Sequence, residues 1–170
     1  MFRAVTLPEE LSGELYLHSM LGRYEEFDEA LEALAEFNIN RVFALVADEE
    51  LRSKAPEYAR SVAAGDFPVP RTVFPIPDFD VPTDPRAFLS LAADVVDMLR
   101  KGQCLLVHCA GGIGRSGLLA VTVLMRLGYS REEALLTVRS AQAGPETPEQ
   151  EEFLEWVELA LAGEEHADSA

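Results

Sequence analysis

The apolar positions of this chain switch repeatedly between a strand period and a helix period. Gly13-Glu14-Leu15-Tyr16-Leu17 alternates weakly and predicts a first strand, with His18-Ser19-Met20 leading off it as a loop. From Tyr24 to Phe37 the spacing becomes helical, with Phe27, Ala30, Leu31, Leu34 and Phe37 on one face and Asn38 and Asn40 as stop signals. Val42-Phe43-Ala44-Leu45-Val46 contains no polar residue, which marks a parallel strand buried on both faces. A broken helical pattern runs from Glu49 to Ala64, reopened by Pro56 after Ser53 and ended by Gly65. Arg71-Thr72-Val73-Phe74 predicts a short strand, followed from Pro75 to Pro82 by a stiff, non-helical loop that holds Asp78 and Asp80.

The second half repeats the scheme. Thr83 is expected to cap a helix with Pro85 in its first turn and Gly102 past its end, burying Ala87, Leu91 and Val95. Cys104 to Val107 predicts a strand, a glycine-rich loop follows, and the apolar segment Leu118 to Leu127 predicts a helix. Ser130-Arg131-Glu132-Glu133 and Thr147-Pro148-Glu149-Gln150 are capping boxes that open two more helices. The last of these buries Phe153, Leu154, Trp156, Val157 and Leu161 and is expected to stop at Gly163. The fold class is therefore α/β, with a central, mainly parallel sheet of four or five strands flanked by helices on both faces. Residues 1–163 are read as a single domain and 164–170 as a frayed acidic tail.

Composition narrows the function classes. A net charge of −16 leaves no basic surface for nucleic acid or an anionic membrane, so neither is expected as a partner. No apolar run approaches a membrane span, and the opening residues lack the apolar stretch of a signal peptide. Cys104 and Cys109 would lie about 16 Å apart on an extended strand, too far to bridge, so a reduced, cytoplasmic setting is expected. His18 and His166 are expected at the surface, and no His/Cys/Asp/Glu cluster suggests a metal site.

The chemistry concentrates at His108-Cys109-Ala110-Gly111-Gly112-Ile113-Gly114-Arg115-Ser116-Gly117. Read as strand, tight loop and helix, this stretch lies where open α/β sheets bind ligands and where a helix offers unpaired N–H groups to an anion. The amides of Ala110, Gly111, Gly112, Ile113 and Gly114 can turn inward as an anion-binding nest. Cys109 at its mouth is expected to be held as thiolate by the same dipoles and by Arg115. Arg115 can fork onto two phosphate oxygens. A cysteine with an arginine six places on is common by chance; the strand before, the glycines, the serine and the helix after are what make the pattern specific. The bland alternative is a buried cysteine in an ordinary glycine-rich turn.

The full string resembles the signature of the cysteine-dependent protein tyrosine and dual-specificity phosphatases, and the short chain is similar to their compact group, including small bacterial and archaeal members. The resemblance implies a tyrosine-phosphatase-like fold, a cysteinyl-phosphate intermediate, no metal or organic cofactor, a phosphorylated protein or peptide as substrate, and phosphate or a similar oxyanion in the loop. It also implies a general acid about thirty residues before the cysteine on a proline-containing loop, which favours Asp78 and leaves its neighbour Asp80 open, since motif position alone does not separate the two. Ser116 would donate to the thiolate and stabilise it as a leaving group in the second step. His108 is read as a scaffold donor to loop carbonyls. The family's glutamine-rich stretch, which positions the hydrolytic water, is matched by Gln150, while Glu146 stands where a first glutamine is expected; Gln150 is equally explained as a capping residue.

The leading expectation is thus hydrolysis of phosphotyrosine, with phosphoserine and phosphothreonine open. A phosphoinositide or other small phosphate ester is the alternative within the superfamily, disfavoured because the loop carries no lysine. A catalytically idle phosphoprotein-binding module and a rhodanese-type sulfurtransferase are the alternatives outside it.

Overall fold

A computed structural model describes residues 1–168. Its sheet comprises β1 (Arg3–Val5), β2 (Glu14–His18), β3 (Arg41–Ala44), β4 (Arg71–Val73) and β5 (Cys104–His108), in the spatial order β1-β2-β5-β3-β4. All neighbours pair in parallel except β1 and β2. The apolar run Leu105-Leu106-Val107 occupies the middle strand and is fully buried, as a strand covered on both faces requires.

The chain crosses from β2 through α1 (Phe27–Glu36) to β3, and through α2 (Asp48–Lys54) and α3 (Pro56–Ala64) to β4. It then returns through α4 (Pro85–Arg100) to β5. Because parallel crossovers are right-handed, reversing direction across the sheet puts α4 on the face opposite α1–α3. The remaining helices, α5 (Gly114–Arg126), α6 (Arg131–Ser140) and α7 (Pro148–Asp168), complete that second layer, with α5 packed against α4, α6 and α7. One hydrophobic core spans both faces of the sheet.

The predicted α/β class and mainly parallel sheet are those observed. Local differences have physical causes. Strand β1 was not foreseen, being too short to carry a pattern; it is held by Phe2, whose ring meets those of Tyr16, His18 and Phe37. Asp84, not Thr83, caps α4, its carboxylate accepting the Ala87 N–H at 3.0 Å. Helix α7 runs through Gly163 to Asp168, and Arg126 on α5 pairs with Glu164 at 3.1 Å, fastening the turn expected to fray. Within the expected tail, Ser169 and Ala170 lie outside the described residues. His18 is buried, edge-on to Phe2 and bonded to Glu25 at 3.2 Å, not at the surface. Among the described residues, no helix is long and apolar enough to cross a membrane.

The arrangement matters for one reason. The four parallel strands end at one edge, so the segments after His18, Ala44, Val73 and His108 converge there.

Candidate active site

Strand β5 delivers Cys109 to this edge and α5 begins at Gly114, leaving residues 109–113 as the turn between them. The turn is shaped by what holds its carbonyls. The Cys109 carbonyl meets His108 Nδ1 at 3.2 Å, and the Ala110 carbonyl accepts the Met20 N–H at 3.2 Å. The Gly112 carbonyl accepts from Arg3 Nη2, and the Ile113 carbonyl accepts the N–H groups of Gly117 and Gly144 at 2.8 and 3.2 Å. In a planar trans peptide the C=O and N–H point in opposite directions. Tying these carbonyls outward therefore turns the N–H groups of Ala110, Gly111, Ile113 and Gly114 toward the concave side. Gly112 is needed at its position: its φ is 72°, and a Cβ there would collide with the His18 carbonyl and Arg3.

Cys109 is buried in this concavity, with Sγ accepting the Gly112 N–H at 3.2 Å. Arg115, only 2% exposed, is clamped from three sides. Its Nη1 donates to Glu50 Oε2 at 2.8 Å and to the Ile76 carbonyl at 2.9 Å, while Nη2 donates to Glu50 Oε1 at 2.9 Å and to Asp78 Oδ1 at 2.8 Å. Burial opposes the guanidinium charge, but the Glu50 carboxylate, with Cys109 and Asp78, outweighs it and raises the Arg115 pKa. In return, the hydrogen bonds from Arg115 hold Glu50 down to about 2 against the effect of burial, with Lys54 assisting. Lys54 Nζ bridges both carboxylates, 2.8 Å from Glu50 and 3.3 Å from Asp78.

The two candidate acids make different contacts. Asp78 reaches Arg115; Asp80 is exposed and its carboxylate accepts the N–H of the adjacent Val81. The turn between them, closed by Asp80 N–H to the Pro77 carbonyl at 3.1 Å, puts Phe79 at a φ of 58° with its ring 60% exposed. Gln150 is fully buried behind this loop. Its Nε2 donates to the Asp80 carbonyl at 3.0 Å and its Oε1 accepts the Glu146 N–H at 2.8 Å. The Thr147 hydroxyl accepts the Gln150 N–H at 3.2 Å, half of the expected capping box; the reciprocal bond has moved one residue earlier, to Glu146. The Glu146 carboxylate lies against Gly114, at the end of the anion loop. Ser116 Oγ is buried but makes no hydrogen bond among the described residues, so the expected donation to Cys109 is not made here; the thiol accepts from Gly112 instead.

His108 is fully buried at the end of β5. Because a carbonyl can only accept, Nδ1 carries the proton toward the Cys109 carbonyl. Nε2 then accepts from the Tyr58 hydroxyl at 3.1 Å, which in turn accepts from Arg71 Nε at 3.0 Å. Burial drives the His108 pKa down to about 3. The unfolded chain, with an ordinary value near 6.5, binds a proton that the folded chain refuses, so stability falls as pH drops through that interval. Replacing His108 with Asn should remove about 1.4 kcal/mol per pH unit from the slope of unfolding free energy between roughly pH 6 and 4. Denaturant titrations of both proteins at three pH values check this; equal slopes would count against a neutral buried imidazole.

Comparison with known proteins now bears on the site. Residues 18–129 match the family model described as Tc-R-P, polymorphic toxin system, DSP-PTPase phosphatase, which takes in the anion loop, the Asp78 loop and Glu50. The chain belongs to this family. No curated protein sequence matches it. Among solved structures, a kinase-associated phosphatase with serine in place of its catalytic-site cysteine superposes with a TM-score of 0.81 at 22% identity, covering 95% of this chain and 96% of its own. Tk-PTP in its active form gives 0.68 at 29% identity, covering 92% and 96%. PTPMT1 in complex with PI(5)P gives 0.63 at 21% identity, covering 88% and 93%.

The protein is thus a phosphatase of the protein-tyrosine and dual-specificity class, with the tyrosine-phosphatase-like fold its signature implied. Four residues of its site were not read from the sequence: Glu50, Lys54, Tyr58 and Arg71. A faint signal existed for Glu50, since it opens a helix directly after a parallel strand and so must lie near Cys109. Its neighbours Asp48 and Glu49 carry the same signal, and only the packing of α2 separates them.

Proposed function

We propose that this phosphatase hydrolyses phosphotyrosine in proteins, and phosphoserine or phosphothreonine within the same chemistry, through a cysteinyl-phosphate. The observation that carries the reading is the convergence of a buried thiol, a glycine-rich loop whose amide N–H of Gly112 reaches that thiol, and one arginine that also touches a carboxylate on a separate loop. Cys109 Sγ attacks phosphorus in line while Arg115 and the loop amides bind the equatorial oxygens. The P–O bond to the leaving group breaks, and Asp78 as carboxylic acid gives its proton to that oxygen. Water then attacks the thiophosphate ester, Asp78 takes its proton, and inorganic phosphate leaves with the S–P bond broken. The unpartnered Ser116 hydroxyl is available to the departing thiolate in this step. Gln150, bonded on both ends of its amide to main chain, supports the acid loop, leaving one N–H for a water. Exposed apolar side chains adjoin Asp78 and the anion loop in Phe79 and Ile113, which suits an aryl leaving group.

The test is initial-rate hydrolysis of a phosphotyrosyl peptide, a phosphoseryl peptide and PI(5)P by the wild-type protein in the presence of a chelator. Turnover of the phosphotyrosyl peptide well above the other two is expected. Preference for PI(5)P would transfer the assignment to a phosphoinositide, and no turnover of any would favour a binding module. Asp78→Asn should lower kcat on the phosphotyrosyl peptide by roughly 10²- to 10⁴-fold and abolish the alkaline fall of the pH–rate profile. Asp80→Asn should change little. Unchanged turnover in Asp78→Asn would remove Asp78 from the role of general acid.

A further inference from the structure

We propose that Arg3, on the edge strand β1, is a positioning residue of the oxyanion site: its guanidinium fixes the Gly112–Ile113 peptide so that the Ile113 N–H faces the bound anion. The inference rests on reading the loop as an oxyanion site and extends it to a residue outside the segment 18–129 that matches the family model.

One planar guanidinium joins two distant segments. Arg3 Nη2 donates to the Gly112 carbonyl, while Nη1 donates to the carbonyls of Ala141 at 3.2 Å and Gln142 at 2.8 Å, at the end of α6. The negative end of a helix dipole favours a cation there. The other tied carbonyls of the loop are held by main-chain N–H groups or by the adjacent His108; Gly112 is held by a side chain from across the fold. That peptide also most needs holding. Gly111 and Gly112 both lack Cβ, so rotation of the peptides between them and Ile113 meets little steric resistance. A flip would exchange an inward N–H for a carbonyl oxygen, replacing attraction to phosphate with repulsion. The charge contributes as well. Burial lowers the Arg3 pKa, but the Cys109 charge acts in the opposite direction, so the two groups attract through the loop. In a chain of net charge −16, a half-buried cation set under the loop beside the buried Arg115 is a concentration of positive charge at this one place.

The experiment measures inorganic phosphate binding by calorimetry, together with kcat/KM on para-nitrophenyl phosphate and the melting temperature. Arg3→Ala should bind phosphate about 10- to 100-fold more weakly and lose a comparable factor in kcat/KM. Val5→Ala trims a buried side chain on the same strand without touching the loop; it should melt at least as early yet hold phosphate affinity within about twofold. Arg3→Lys keeps the charge but cannot span both sets of carbonyls, and should fold and still lose several-fold in affinity. Wild-type affinity in Arg3→Lys or Arg3→Ala would overturn the proposal, as would an equal loss in Val5→Ala. Phosphate binding without cysteine-dependent turnover would defeat the phosphatase mechanism while leaving the Arg3 comparison readable. A wild type that binds no phosphate would defeat both.

Discussion

Replacing Cys109 with Ser should lower kcat on para-nitrophenyl phosphate by about 10⁴-fold or more, as loss of a sole nucleophile does elsewhere. A serine hydroxyl stays protonated at neutral pH and is a far poorer leaving group from phosphorus, so both halves of the reaction suffer. Binding should survive. The loop amides, Arg115 and the Arg3 tether are untouched by the change, and Sγ contributes one accepted hydrogen bond, from Gly112. Phosphate affinity in Cys109→Ser should therefore remain within several-fold of wild type while turnover disappears. The assay is run with chelator present, so that residual activity cannot be assigned to a contaminating metal enzyme. Turnover retained in the variant would rule out the cysteinyl intermediate. Loss of phosphate binding in parallel with turnover would show that the substitution had collapsed the nest.

The portion of this site legible in the sequence is the portion that lies contiguous in the chain. Cys109 through Ser116 sit on one strand–loop–helix unit, whose residue types and periodicity could be read directly. Asp78 could be proposed because it follows a second strand and a resemblance supplied its distance; its contact with Arg115, which Asp80 does not share, could not be read from the sequence. Glu50, Lys54, Tyr58 and Arg71 come from elements whose order in the sheet the pattern does not reveal. Strand β3 lies beside β5, with β4 beyond it, only because the chain crosses over the β5 position and returns, a long-range result of topology. Arg3 is harder still. Its role depends on an antiparallel edge strand of three residues, too short for any period, and on carbonyls just past the end of α6. The misread of His18 has the same origin: it looked like a loop residue, yet pairing with β5 places it beside His108 in the sheet interior.

Arg115→Lys should produce the other large effect, a fall in kcat/KM of about 10³-fold or more, although the charge is preserved. The guanidinium is planar and here satisfies both oxygens of Glu50, the Ile76 carbonyl and Asp78 from two nitrogens. An ammonium has three donors on one atom and cannot lie flat between Glu50 and a phosphate while still reaching the Asp78 loop. Two consequences separate lost geometry from lost charge. Phosphate affinity should fall less than kcat/KM, because a point charge still attracts a dianion but no longer matches the planar array of oxygens in the transition state. The deficit should also be nearly constant with pH. Glu50, which orients the arginine, titrates at about 2, so its contribution is present at all pH above the ordinary carboxylate value and is lost only as pH falls through about 2. Profiles of wild type and Arg115→Lys between pH 5 and 8 should therefore be parallel on a logarithmic scale, in contrast to Asp78→Asn, whose alkaline limb disappears. A pH-dependent deficit in Arg115→Lys would mean that the lost guanidinium also set the protonation of Asp78, the other carboxylate it holds.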